Sequence, residues 1–434
     1  MATVERGAGG KFSLGCSGGK MEGTGERTPV FRGDPNEGVV IITSLAQRAR
    51  PALGVAALIA AALVTLSAAP AVAALREVPD SSWGTNGRVH DIARVGGRIY
   101  LAGSFTAVRS PTGKTVARNH LAALDAVSGA VVGGWRANTN GTVYDLASSA
   151  NGSTIYAGGA FSAVNGVGHR GLVAVSAASG DVRSAFRATT NNTVWALARS
   201  GSRLFAGGSF TSVRAGGGSF SRKHLAAVDS SSGAIAATWR PSTNATVKAL
   251  ELSSDQTKLY AGGSFTTASG QPRRFLAAFG PSAGALNPTW RPPLGDIRPC
   301  GNGCVMDLDA TSGLVYAAVG GRQGGNRAVA LNATTGALRW QKLGDGDVQA
   351  ISYARERVYI GGHFIKIANI NRPKFLTVDA SNGAVKKDFT PTMNGKMGIW
   401  AITALPDGSR LYIGGDFTRV SGTNRYHFAQ FRNG

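Results

Sequence analysis

Arginine recurs at one position of the chain, three residues before an apolar run, where its guanidinium group could bind a carboxylate, a phosphate or a sugar. The arginines at this position are Arg118, Arg222, Arg273, Arg372 and Arg425. The amides that could join them are Asn140, Asn192 and Asn244. The same arginines could instead tie each loop to its neighbour, so a ligand-binding role and a structural role both stay open.

A second set of arginines follows an aromatic residue directly. These pairs are Trp135-Arg136, Phe186-Arg187, Trp239-Arg240 and Trp290-Arg291. Asn and Thr are frequent in the loops after them, and guanidinium donors beside amides and hydroxyls suit the same anionic or sugar ligands.

Carboxylates occupy a third recurring position, at Asp91, Asp145 and Asp307, where other repeats of the chain have alanine. Three carboxylates around one channel could hold a cation or pair with arginines. Calcium prefers six or more oxygen ligands, and a mixture of Asp and Ala is more typical of hydrogen bonding between repeats. We therefore expect these residues to line a channel without a metal, with calcium as the alternative.

Motifs for catalysis are absent from the sequence after residue 74: there is no nucleophile elbow, zinc-binding histidine pair, phosphate-binding loop or dinucleotide fingerprint. His120, His224 and His427 occupy one repeat position. They are better explained as repeat residues than as a catalytic cluster.

A Gly-Gly-x-Phe motif, or a close variant of it, sets the period of the chain. It ends at Phe105, Phe161, Phe210, Phe265, Phe364 and Phe417. The interval between Phe265 and Phe364 is almost two periods, and residues 315–321 in its middle keep the two glycines without the Phe. The sequence therefore contains seven repeats of about 50 residues, a period typical of propellers.

Each repeat contains four short apolar runs separated by turn residues such as Asn151-Gly152, and four short strands make one propeller blade. An aromatic residue closes each fourth run, as expected for packing between blades. The last repeat ends after its third run, and the segment from Arg76 to Trp83 can supply the missing strand. We predict an all-β, seven-bladed β-propeller of four-stranded blades, its ring closed by the N-terminal strand so that no edge is exposed.

Export is predicted by two arginines, an apolar run from Leu53 to Leu66, and Ala71-Val72-Ala73, the three parts of a secretory signal. The run is shorter than the roughly 20 residues that span a bilayer. We assign residues 1–47 to a leader of unassigned role, which a misplaced start would explain, residues 48–74 to a signal peptide and residues 75–434 to one propeller domain. The mature protein would be secreted or bound to a bacterial cell wall, without membrane insertion.

Cys300 and Cys304 flank Gly-Asn-Gly and could form a local disulfide in an oxidising compartment, whereas a metal site would need two more soft ligands nearby. From Ala74 onward, 39 basic and 19 acidic residues give a net charge of +20. This charge favours anionic partners, although a role in solubility alone is the alternative. We expect no nucleic-acid partner, because no reading motif accompanies the charge.

Residues 253–279 and 405–431 resemble the delta-60 repeat of secreted bacterial propellers, and the likeness extends over residues 80–431. The resemblance implies an extracellular or wall-associated propeller, often joined to adhesion or carbohydrate-binding modules, with no assigned catalytic residues. Residues 330–340 are similar to the docking motif of quinoprotein-type propellers. Those enzymes have eight blades, a disulfide of adjacent cysteines and a calcium-bound quinone, and this chain departs from the first two.

We expect a non-enzymatic, monomeric binding or scaffold protein, without a cofactor, for an anionic glycan, a wall polymer or a partner protein. A lyase or hydrolase acting on polysaccharide is one alternative, and it would need carboxylates, or a histidine and a metal, converging in one pocket. A quinoprotein-like dehydrogenase is the other.

Overall fold

Short apolar runs between Gly, Asn and Ser turns form β-strands, and no helix occurs in the residues that the structure covers. This computed structural model describes Thr3–Arg6, Phe12–Gly15 and residues 74–294, 304–321 and 325–434. The chain divides into two units, Met1–Val72 and Ala73–Gly434. In the first, Thr3–Arg6 pairs antiparallel with Phe12–Gly15. The predicted signal up to residue 73 lies outside the described residues.

Seven antiparallel sheets, numbered 1 to 7 in chain order, make up the described part of the second unit, together with small hairpins. The all-β prediction is confirmed. Within the described ranges, no helix is long and apolar enough to cross a membrane. The strands of sheet 1 are Val89–Val95, Arg98–Gly103 and Leu121–Asp125, and those of sheet 2 are Val143–Ser148, Thr154–Gly159 and Leu172–Ser176. The strands of sheet 3 are Val194–Ser200, Arg203–Gly208 and Leu225–Asp229, and those of sheet 4 are Val247–Leu252, Leu259–Gly263 and Leu276–Phe279.

Sheets 5 to 7 complete the series. The strands of sheet 5 are Val305–Ala310, Leu314–Val319, Arg327–Asn332 and Leu338–Leu343. Those of sheet 6 are Val348–Ala354, Arg357–Gly362, Phe375–Asp379 and Val385–Lys386. Those of sheet 7 are Ile399–Ala404, Arg410–Gly415 and Phe428–Arg432. The hairpins after the second strands pair Ala107–Arg109 with Thr115–Ala117, Ala163–Val164 with Val167–Gly168, Ser212–Ala215 with Gly218–Ser221, Thr267–Ala268 with Gln271–Pro272, Lys366–Ile367 with Ile370–Asn371, and Arg419–Val420 with Thr423–Asn424. Gly84–Thr85 and Thr189–Thr190 each add a strand to one hairpin.

Fourth strands are shorter than the sequence predicts. Sheets 5 and 6 have one, but in sheets 1 to 4 the fourth run makes a single bridge to the third strand, as Val131 does with Leu124. In sheet 1 the run ends in a turn before the aromatic residue. A turn closed by the Trp135 amide and the Val132 carbonyl takes the chain out of sheet 1 and buries the Trp135 ring completely.

Each of these aromatic side chains attaches its sheet to the next one. Trp135 Nε1 donates to the carbonyl oxygen of Ser176 in sheet 2 at 3.0 Å. The hydroxyl of Tyr100 in sheet 1 donates to the adjacent Ala177 carbonyl at 2.7 Å, and the two rings pack edge to face. The pair Tyr316 and Trp340 likewise donates to one carbonyl of the following sheet. A buried aromatic pair therefore anchors one sheet to the next.

The repeated glycines allow this close approach. A Cβ on Gly207 would collide with Val247 of the next sheet, and a Cβ on Gly208 would collide with the Thr193 carbonyl within its own sheet. The described apolar side chains form seven buried clusters, six of them shared by successive sheets and one by sheets 7 and 1. The Gly-Gly-x-Phe column is thus explained by packing.

The segment before sheet 1 pairs with the last sheet. The Arg76 amide donates to the Arg432 carbonyl at 2.9 Å, and the Asp80 amide donates to the Gln430 carbonyl at 2.8 Å. The Asp80 carboxylate, 12% exposed, forms ion pairs with Arg76, Arg410 and Arg432 at 2.6, 3.3 and 3.1 Å. Residues far apart in the sequence are therefore held together by a cluster of charged hydrogen bonds.

Deletion of residues 75–84 should abolish cooperative folding, because it removes the strand partner of Phe428–Arg432 and exposes that strand as an edge. Thermal unfolding followed by circular dichroism tests this expectation. An unchanged melting temperature would contradict it.

Asp80→Asn should lower the free energy of unfolding by about 1–3 kcal/mol, because it removes a partly buried charge that three guanidinium groups approach. Urea unfolding measures the change. Glu356→Gln, at an exposed position, is the matched control and should change it by less than about 0.5 kcal/mol. Equal effects of the two substitutions would argue against the role of Asp80.

Candidate functional site

Most arginines of the first predicted column are buried. Arg118, Arg222, Arg273 and Arg425 are 3–6% exposed. Their Nη atoms donate to backbone carbonyls of the same sheet or its partner segment, as Arg118 Nη2 does to Gly133 at 2.8 Å. A long side chain that folds back on orphan carbonyls replaces the missing part of the fourth strand. These four arginines are therefore not accessible to a large ligand, and Arg372 is half-buried.

The predicted amides also hold the fold. Asn140 Oδ1 accepts hydrogen bonds from the amides of Ser162 and Ala163 at 2.8 and 3.0 Å, and Asn244 does the same for the Thr266 and Thr267 amides. Each thus caps the hairpin of the next sheet. Asn192 is exposed, and its Oδ1 accepts from the Thr193 amide. The three amides do not converge on one site with the arginines.

The recurring histidines share an unusual backbone conformation. His120, His224 and His427 have φ of 66°, 67° and 61°, in the left-handed region where His is enriched among residues other than glycine. The ring Nδ1 of His427 lies 3.0 Å from the Gly415 carbonyl oxygen. This position fixes the chain before the third strand, which explains its recurrence without catalysis.

First strands of all seven sheets line one cavity of about 740 Å³. Asp91, Asp145 and Asp307 lie in this channel, where the sequence places them. Asp307 accepts hydrogen bonds from the amides of Leu308 in its own strand and Ile351 in sheet 6, at 2.8 and 2.9 Å. Asp145 likewise bridges its own strand and sheet 3. The carboxylates tie neighbouring first strands together.

Burial changes the acidity of this layer. It raises the pKa of Asp307 to about 7, against amide hydrogen bonds that lower it. Burial, and then the nearby Asp91 carboxyl, raise the pKa of Asp145 well above its usual range. Within the described ranges, no group of three or more His, Cys, Asp or Glu side chains is arranged to hold a metal ion. The alternative of calcium at this layer stays untested.

Two further acids, Glu251 and Asp309, lie two residues beyond the aspartate column, one step deeper in the channel. Sequence reasoning missed them, although the strand period of two places them on the channel face. Asp309 accepts from the Tyr353 amide at 2.7 Å. Burial, followed by Asp309 and Asp307, raises the pKa of Glu251 well above its usual range. A hydrogen bond from the backbone amide of its neighbour Leu252 acts in the opposite direction and lowers this pKa.

Aromatic side chains form the layer on the other side of the aspartates. Trp400, His90, Tyr144 and Trp195 follow one another on successive sheets, with ring centroids 5.5, 5.1 and 4.0 Å apart. Arg88 lies over Trp400 and Lys248 over Trp195, each at 4.7 Å. Burial, and then Arg88, lower the pKa of His90 to about 3. This arc is thus a packed, neutral aromatic surface with a cation at each end.

Convergent carboxylates, the condition set for a polysaccharide-cleaving enzyme, do occur in the channel. Asp91, Asp145, Asp307 and Asp309 nevertheless bind backbone amides of adjacent sheets, which is a positioning role. Cys304 is buried and disulfide-bonded, and Cys300 lies outside the described residues. Their predicted pairing stays a prediction.

The arginines that follow aromatic residues are exposed. Arg136, Arg187, Arg240 and Arg291 succeed the fourth runs of sheets 1, 2, 3 and 4. The Nε atoms of Arg240 and Arg291 donate to carbonyls three residues earlier, at 2.7 and 3.0 Å. No ion pair joins any of the four to an acid in the part of the chain that the structure covers. All four side chains are therefore accessible from solvent.

Comparison with known proteins identifies the fold. No protein-family model matches the chain, and no curated protein matches it in sequence. The WD40 beta propeller domain of Doa1 is similar at 12% identity with a TM-score of 0.50, over 82% of this chain and 97% of that one. The computationally designed Ika8 protein is similar at 12% identity with a TM-score of 0.47, over 81% and 98%. The first likeness shows that this chain has a β-propeller fold.

Glu251→Gln should make the protein more stable at pH 8 and leave it unchanged at pH 4. The folded state holds the Glu251 proton more tightly than the unfolded chain does, so stability is lost as pH rises above about 4.3. Glutamine keeps the shape of the protonated acid. Calorimetry should show a melting temperature at least about 2 °C higher at pH 8, with Glu356→Gln unchanged. A lower value at pH 8 would contradict this assignment.

Proposed function

We propose that the chain is a secreted, non-enzymatic binding protein that holds an anionic glycan or wall polymer on an arc of exposed arginines. The observation that supports it is the recurrence of Arg136, Arg187, Arg240 and Arg291 at one position on four successive sheets. A repeated array of exposed guanidinium groups matches the repeated charges of such a polymer. Planar Nη pairs suit carboxylate or phosphate groups in particular.

Local electrostatics also support an anionic ligand. Burial, and then the nearby Arg136, lower the pKa of Arg118, and Arg240 and Arg291 act in the same way on Arg222 and Arg273. Each of these pairs places two like charges together. An anion at the exposed partner would relieve that repulsion, and the net charge of +20 after the predicted signal would speed its arrival.

The arc has two ends, which gives the proposed surface a direction. The corresponding residues on the remaining sheets are Gln341, Thr390 and Gly84, which carry no charge. A surface that served solubility alone would not need this asymmetry. We propose that the ligand crosses sheets 1 to 4.

The proposed architecture is a propeller of seven blades, one per sheet, closed by the segment from Leu75 to Asp80. Two observations support it: the first strand of sheet 7 lies beside the first strand of sheet 1, and Leu75 bridges Asn433. A closed ring would hold the four arginines at fixed spacing. That rigidity would limit the entropy lost when a polymer binds.

Simultaneous replacement of Arg136, Arg187, Arg240 and Arg291 by alanine should weaken binding to polygalacturonate and heparin about tenfold or more. Binding by the unchanged protein should fall steeply with salt, because counterions are released. Affinity columns run across a salt series measure both effects, with neutral dextran as the blank.

A charge-matched control separates the arc from net charge. Replacement of the exposed Arg94, Arg214, Arg339 and Arg355 by alanine removes the same charge elsewhere and should reduce binding far less. Equal losses in the two variants would overturn the proposed site. Retention that does not depend on salt would overturn the electrostatic mechanism and favour a partner protein.

A further inference from the structure

The channel concentrates acid inside a basic protein. Five of the residues that line the 740 Å³ cavity are acids, namely Asp91, Asp145, Glu251, Asp307 and Asp309. One lysine, Lys248, lines it as well. After residue 73 the sequence has only 19 acidic residues, against 39 basic ones. More than a quarter of these acidic residues therefore line a single cavity.

Glu251 differs from the other four acids in its contacts. Each aspartate accepts the amide of a first strand in a neighbouring sheet. No hydrogen bond from another sheet reaches the Glu251 carboxyl within the described ranges, although this residue is partly buried and borders the cavity. Its carboxyl is therefore the one whose hydrogen-bonding capacity is open to an occupant of the channel.

The surroundings of Glu251 suit a cation. Asp309 on sheet 5 contributes a second carboxyl close enough to change the acidity of Glu251. Lys248, the cation on the same strand, stands three residues away, about 10 Å along it, and lies over Trp195. On sheet 3, Arg199 turns its guanidinium to the carbonyls of Ser148 and Gly201.

We propose that the channel binds a small organic amine, whose ammonium group donates hydrogen bonds to Glu251 beside Asp309. An ammonium fits better than a metal, because the donor set lacks the geometry of a metal site, whereas an ammonium needs only two or three acceptors. The aromatic arc of Trp400, His90, Tyr144 and Trp195 bounds the cavity beyond the aspartates and would contact the carbon chain of the amine.

Amine binding should release a proton. The raised pKa favours the protonated form of Glu251 in the absence of a ligand, and a cation stabilises the ionised form. Affinity should therefore increase as pH rises from about 5 to about 8. The other titratable groups that line the cavity are Asp307 and Asp309 on sheet 5, Tyr353 on sheet 6, and His90, Asp91, Tyr144 and Asp145 on sheets 1 and 2. Lys248 remains a cation at one end.

Calorimetric titration of the full chain with spermidine tests the proposal. We expect saturable binding and, in two buffers of different ionisation enthalpy, a heat difference that reports proton release. Glu251→Gln should weaken binding about tenfold or more and abolish the release, while Glu356→Gln should preserve both. The alanine variant of the arginine arc should also bind spermidine normally, so failure of the polymer proposal would leave this result intact.

Three outcomes would overturn the proposal. One is the absence of saturable spermidine binding at any pH between about 5 and about 8. Another is equal affinity in Glu251→Gln, provided that its melting curve shows a folded protein. The third is calcium binding that displaces spermidine and depends on Glu251, which would identify a metal site instead.

Discussion

No sheet of this protein can bury both of its faces alone, so every element depends on attachment to its neighbours. The apolar clusters lie between sheets, and polar contacts set the register between them. A tryptophan indole and a tyrosine hydroxyl reach the end of the next third strand, while channel aspartates bind amides of the next first strand. Outer and inner edges are thus fixed by different chemistry.

Sequence alone predicts the parts of the fold that repeat. The two glycines can be placed because a Cβ at either would collide with backbone or with a β-branched residue. The fourth strand could not be predicted correctly, since an apolar run ending in tryptophan looks the same whether the ring stays in the sheet or leaves it. In sheets 1 to 4, burial of the ring against the next sheet outweighs the pairing of that strand.

The candidate sites show a different limit. Arg118 and Arg136 are both repeated arginines near loops, yet one is buried against carbonyls and the other is exposed. A sequence does not show in which direction so long a side chain runs. The sequence analysis did not single out Glu251 for a different reason. Its repeat has Ala249 in the aspartate column, and comparison of that column alone passes over an acid two residues later.

The cluster around Asp80 has a consequence for the lifetime of the folded protein. Successive sheets are joined by the chain itself, but Leu75 to Asp80 reaches sheet 7 through hydrogen bonds, ion pairs and the packing of the Leu75 side chain. Unfolding that begins there separates Leu75 from its apolar cluster and breaks the ion pairs of Asp80 with sheet 7. Ions in solution screen the ion pairs of Asp80 more strongly than they affect the apolar clusters between sheets. The rate at which this segment detaches should therefore depend on ionic strength, whereas the packing between sheets should not.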